Sequence, residues 1–168
     1  MEIIMKNIFL FIVGILCVVF TYAQDQPIAI KHGPYLQNLK ETETTIVWLA
    51  NKPSVGWVEL ALDDGTSYYR TERVKYFDAT NGVKNVAERH SVRITGLKPG
   101  TSYRYRIYAQ EVLSRKGEEI VYGNVAAPSI YDRRSLKFIT NDRNKPETSF
   151  IMLNDIHGNT DYIPKLLN

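Results

Sequence analysis

Gly96-Leu97-Lys98-Pro99-Gly100-Thr101-Ser102-Tyr103 is the most informative stretch of this chain. It is entered from His90-Ser91-Val92-Arg93-Ile94 and left through Tyr103-Arg104-Tyr105-Arg106-Ile107, runs that alternate apolar and polar residues as half-buried strands do. Between them Leu97 is placed to plug the end of a core, and Pro99 with Gly100 to turn the chain from one sheet to another. Tyr103, opening the next strand, is placed to return its hydroxyl to nearby backbone, the pattern of a tyrosine corner.

The neighbouring sequence repeats this grammar. Thr44-Ile46-Trp48 make one face of a strand and Thr45-Val47-Leu49 the other; Val55 to Leu60 follow after Lys52-Pro53, and Asp63-Asp64-Gly65 turns into a strand over Ser67 to Arg73. Further strands are expected at Arg89 to Thr95, Thr101 to Gln110, around Ile120 to Gly123, and Ser135 to Thr140. Asn81-Gly82 and Lys116-Gly117 supply turn chemistry between them. No stretch carries a helical period. About seven short strands over residues 28–140 make a mainly β domain folded as a two-sheet sandwich.

Residues 1–23 stand apart. Lys6 precedes an uncharged apolar run from Ile8 to Phe20 that ends in Thr21-Tyr22-Ala23, which reads as a signal peptide cleaved after Ala23. The run is too short to span a bilayer as a helix, and the polar Gln24-Asp25-Gln26 that follows is no stop-transfer cluster, so a membrane anchor is the lesser alternative. The expected location is secreted, periplasmic or cell-surface, with no membrane attachment after cleavage. Cleavage removes the single cysteine, Cys17, so the mature chain needs no disulfide in an oxidising space. It also removes one charge of each sign and leaves the formal net charge at +3, with charges interspersed; no nucleic-acid footprint is present.

Past the sandwich the pattern changes. Residues 141–148, polar and without periodicity, read as a linker. Ser149-Phe150-Ile151-Met152-Leu153 is a continuous apolar run, as in a strand buried on both faces of an α/β sheet. Asn154 to Thr160 make a polar loop, and Asp161 to Leu167 resemble a first helical turn, so that residues 149–168 are expected to open a further domain that the chain does not finish. Asp155 and His157, two apart after the buried strand, project to one side of an extended chain at the sheet's carboxyl edge, where such sheets bind ligands. A carboxylate and an imidazole together suit a transition metal such as iron, manganese or zinc. A polar strand-to-helix loop is the bland reading of the same two residues.

With Trp48 on an early strand, the corner Leu97, Pro99, Gly100 and Tyr103, and the closing strand Leu136-Lys137-Phe138-Ile139-Thr140, residues 28–140 resemble a fibronectin type III-like (immunoglobulin-like) domain. Phe150 to Gly158 resembles the first motif of calcineurin-like metallophosphoesterases, a strand followed by Gly-Asp-x-His. That order of domains, and Gly33-Pro34-Tyr35-Leu36-Gln37 at the sandwich's start, is similar to purple acid phosphatases and their secreted bacterial relatives. The resemblance implies a dinuclear centre of iron, manganese or zinc acting on a phosphate ester, with Asp155 and His157 as ligands of one ion and the others from later blocks. This chain alone would hold at most one ion, weakly, and be inactive; its partner would be its own missing catalytic domain. Asn154 stands where the family has Gly. His157 stands where plant-type purple enzymes carry Gly, which points to a calcineurin-like centre instead of a tyrosine-ligated iron.

Other candidates carry plainer readings. His90 within a strand and His32 near the terminus are expected to pack or to lie on the surface. Tyr68-Tyr69 suit a sugar-binding face or ordinary strand pairing, and Arg104, Arg106, Arg133 and Arg134 a phosphate contact or a solvated face. Asp63-Asp64 make a turn, and only remotely a calcium pair. The alternative function is a secreted, non-catalytic fibronectin type III-like module that binds glycan or protein.

Overall fold

The structure, a computed structural model, describes residues 26–128 and 136–145. Residues 1–25, Arg133 and Arg134, and residues 146–168 with Asp155 and His157 lie outside the described residues, and with them the expected signal peptide and the end of the expected linker. The strands are β1 (Ile30–Gln37), β2 (Glu43–Leu62), β3 (Val74–Phe77), β4 (Ala79–Thr80), β5 (Val83–Lys84), β6 (Val86–Thr95), β7 (Ser102–Lys116), β8 (Glu119–Ala126) and β9 (Leu136–Ile139).

β2 organises the domain because it serves both layers. Its first half, residues 43–50, pairs antiparallel with β1 and β6; its second half, residues 54–62, pairs with β3 and β7, with β6 reaching across the bend to Ser54 and Val55. β7 then carries β9 along its beginning and β8 along its end. The result is one layer of β1, β2 and β6 facing a second of β3, β2, β7, β8 and β9, a fibronectin type III-like β-sandwich joined where β2 crosses over. Lys52-Pro53, expected to separate two strands, is instead the bend inside one, marked by a break in the β2–β6 register between Leu49 and Ser54.

Alternation positions the core. Along β6, His90, Val92 and Ile94 are buried while Arg89, Ser91 and Arg93 are exposed. With Ile46 and Trp48 they meet Val58, Leu60, Tyr105, Ile107 and Phe138 from the opposite layer. Two local readings are corrected. Ser67 to Arg73 is not a strand: Tyr68 donates its hydroxyl to the Glu59 carbonyl, Arg73 binds both the Glu59 carboxylate and the Tyr68 carbonyl, and the segment curls into turns until β3 begins. Arg104 is not solvated either. Its buried guanidinium donates to the carbonyls of Leu62 and Thr66 and to the Thr66 hydroxyl, tying down the loop after β2.

Asn81-Gly82 joins β4 to β5 with positive φ at both residues, 51° and 82°, the conformation a two-residue type I′ turn needs. At the other end of the sandwich, Tyr103 accepts a 2.9 Å hydrogen bond from the Lys98 N–H, Leu97 is buried in the core, and the Tyr103 ring stacks on Phe138 with centroids 5.5 Å apart. Tyr103→Phe keeps the ring and loses only this bond. It is expected to cost about 1 kcal/mol in urea unfolding, and an unchanged midpoint would remove the hydroxyl from the account.

Candidate functional site

The metal pair called from the sequence, Asp155 and His157, cannot be placed, because both lie outside the described residues. Among the described residues no group of three or more His, Cys, Asp or Glu side chains is arranged to hold a metal ion. The polar sites that the sandwich does contain are a buried relay, a clamp at the chain's exit and an open basic pocket.

The relay forms at the β2 crossover. Ser54 Oγ lies 2.8 Å from His90 Nε2, and His90 Nδ1 lies 3.0 Å from Asp78 Oδ2. Asp78 also accepts from Asn85 Nδ2 at 2.8 Å and from the Ser91 N–H at 3.4 Å. The carboxylate needs a donor at Nδ1, so neutral His90 is Nδ1–H and its Nε2 accepts from the Ser54 hydroxyl, whose single hydrogen is shared with the Ala87 carbonyl 3.2 Å away. The order Ser–His–carboxylate is that of a hydrolytic triad. Ser54 and His90 are both 0% exposed, however, and Trp48 lies against the imidazole with ring centroids 5.1 Å apart, so no substrate reaches Oγ. The relay is a structural bridge that satisfies polar groups inside the core. Burial pulls the His90 pKa below its ordinary value, against the opposing pull of Asp78.

The crossover also explains Gly56. A Cβ there would lie 2.4 Å from His90 Cγ and 2.7 Å from Trp48 Cζ2, so the backbone approaches these rings as only glycine permits. His90 sits on the inward-facing register of His90-Val92-Ile94, which is the signal in the sequence for its burial. Nothing local to it announces Asp78 and Ser54 as its partners. His32 is exposed.

The exit clamp holds residues 140–145. Thr140 donates its hydroxyl to the Lys98 carbonyl at 2.6 Å, and Asn141 donates Nδ2 to the Leu39 carbonyl and its N–H to the Lys40 carbonyl. Arg143 then binds Glu41 through its backbone N–H and through a two-point guanidinium contact. The Arg143 hydrogen bonds hold the Glu41 carboxyl down at about 2, so the pair persists through the mildly acidic range. The chain therefore leaves the sandwich along a fixed path at least as far as Lys145.

The face of β2, β3 and β7 around Trp57 and Glu59 carries rings and charges that engage one another. Trp57 stacks on Tyr108 at 4.9 Å, and Tyr68 meets Tyr69 edge to face. Burial raises the Glu59 carboxyl, but hydrogen bonds from Arg73 and Tyr108 with the charges of Arg73 and Lys75 outweigh it and leave Glu59 below the usual carboxylate range. Arg106 donates to the Tyr69 hydroxyl and the Pro128 carbonyl. Asp63 and Asp64 are likewise engaged, the first by Lys137 and Ser102 and the second by Thr66, as turn residues are.

No curated protein matches the chain. Three solved structures similar to it share 17% identity. A computer-redesigned β-sandwich protein aligns over 68% of this chain and 96% of its own, with TM-score 0.41. The FN1–FN3 domains of chicken CNTN1 align over 69% and 33%, with TM-score 0.41. The sixth fibronectin type III domain of human fibronectin type III domain containing protein 3 aligns over 77% and 99%, with TM-score 0.37. The family model described as Purple acid Phosphatase, N-terminal domain, matches residues 34–118, from the start of the sandwich to the β7–β8 turn. That match takes in half of the chain and the whole β2 crossover, and on it the chain belongs to the purple acid phosphatase N-terminal domain family.

Proposed function

We propose that this chain is the amino-terminal part of an exported metal-dependent phosphohydrolase, of acid phosphatase or phosphodiesterase type, and that its sandwich carries and orients the catalytic portion. The observation that carries this reading is the family match over residues 34–118. The clamp of Thr140, Asn141 and Arg143 supports the orienting role, since it ties residues 140–143 to the sandwich. Export rests on the charged, apolar and small-residue regions of residues 1–23.

In this reading Asp155 and His157 are ligands of one ion of a dinuclear centre. A carboxylate oxygen and an imidazole nitrogen two residues apart are a donor set that iron, manganese or zinc accepts. When bound, such a pair of ions lowers the pKa of water and neutralises charge on a phosphate ester. The chain's own contribution is to supply the two donors directly after the apolar run Ser149 to Leu153. The ester substrate is the partner, and neither nucleic acid nor a membrane surface is required.

The test is phosphate-ester turnover by the product of the complete coding sequence. Asp155→Ala and His157→Ala are each expected to reduce it by at least about 100-fold, beyond the ten- to hundred-fold that losing an outer partner of a metal ligand costs. Full turnover in both variants, or none in the parent protein under any metal supply, would favour the exported binding module instead.

A further inference from the structure

We propose that the pocket between β5, β6 and the end of β7 binds a small multivalent oxyanion of the oligophosphate class. The cavity, about 560 Å³, is lined by Lys84, Asn85, Arg89, Ser91 and Arg115 with Asp78 among them. This lies in the size range of small-molecule sites. Its three cationic side chains come from three different strands, and among the described residues none of them forms an ion pair.

Elsewhere on the domain, several cations are neutralised by a nearby carboxylate. Lys40 and Arg93 converge on Glu43, Arg73 and Lys75 on Glu59, and Arg143 binds Glu41. In the pocket the one acidic residue is already committed. Asp78 Oδ1 accepts from Asn85, and Oδ2 accepts from His90 and the Ser91 N–H, so its lone pairs turn toward the relay. Two of the cations are held in place by contacts that neutralise nothing: Lys84 Nζ sits 4.2 Å over the Phe77 ring, and Arg115 donates Nε to the Gly117 carbonyl at 3.3 Å.

Three cationic side chains lining one pocket with one committed carboxylate favour a ligand of two or more negative charges. Arg89 and the remaining N–H groups of Arg115 present the planar fork that matches phosphoryl oxygens two at a time, with Lys84 as a point charge. A monovalent anion neutralises one of these groups and leaves two without a counter-charge.

The experiment titrates the full chain with inorganic tripolyphosphate by calorimetry and by amide NMR, with sodium chloride at matched ionic strength as reference. Expected are one saturable site and amide shifts centred on Lys84, Arg89 and Arg115. Arg89→Gln and Arg115→Gln should each weaken binding about tenfold, the loss of one charge-assisted hydrogen-bonding group, and the double variant should abolish it. Both residues are exposed, and an unchanged spectrum for Trp48 and His90 certifies the fold of each variant. Non-saturable binding, binding matched by sodium chloride, or undiminished binding in the double variant overturns the proposal. Citrate or a sulfated disaccharide binding more tightly than tripolyphosphate overturns the phosphate assignment. None of these outcomes depends on Asp155 or His157, so the pocket and the phosphohydrolase reading fail separately.

Discussion

Trp48→Ala is expected to destabilise the sandwich by about 3–5 kcal/mol, the cost of truncating a fully buried large aromatic. Trp48 is 0% exposed, stands on the half of β2 that serves the first layer, and packs its ring on His90 while Gly56 of the other half lies against it. Packing from β6 and from both halves of β2 therefore meets on one side chain, and the crossover backbone has little freedom to collapse into the space left behind. Against a typical domain stability of about 5–15 kcal/mol, such a loss removes most of the margin. Urea unfolding followed by far-UV circular dichroism measures it. A change below about 1 kcal/mol would mean that the crossover is not the keystone of the fold.

Acid is expected to weaken the domain through His90. Its folded pKa lies below the ordinary 6.5, because burial disfavours the imidazolium more than Asp78 favours it. Above pH 6.5 the ring is neutral in both states and the full stability is present. As the pH falls below that value the unfolded chain takes up a proton that the folded chain resists, and stability declines. Urea midpoints at about pH 8 and about pH 5 should therefore differ, and His90→Gln should shrink the difference. Asp78→Ala at the higher pH should cost about 1–3 kcal/mol for stranding the buried Nδ1–H alone. A wild-type midpoint that is flat or rises on acidification would reverse the sign and make His90 a stably charged partner of Asp78.

What could be read from the sequence was what lies close together in it. The corner at Leu97 to Tyr103 and the Asn81-Gly82 turn carry their chemistry in consecutive residues, and strand alternation exposes the inward faces of β2, β6 and β7. The structure diverges where tertiary contacts outvote local pattern. Tyr68 and Arg73 bend Ser67 to Arg73 onto Glu59, and Arg104, outward by alternation, is drawn in by carbonyls more than thirty residues away along the chain. The relay of Ser54, Asp78 and His90 and the pocket of Lys84, Arg89 and Arg115 are assembled from separate segments of the chain, so neither leaves a motif. Asp155-x-His157 is the opposite case, a local motif read from three consecutive residues.

Metal content tests the functional account most directly. Elemental analysis of the purified product of the complete coding sequence should find two transition-metal ions per chain, with Asp155→Ala and His157→Ala each retaining fewer. Equal metal content in the parent protein and both variants, or no bound metal in any of them, would contradict the assignment of these two residues and the phosphohydrolase reading with it.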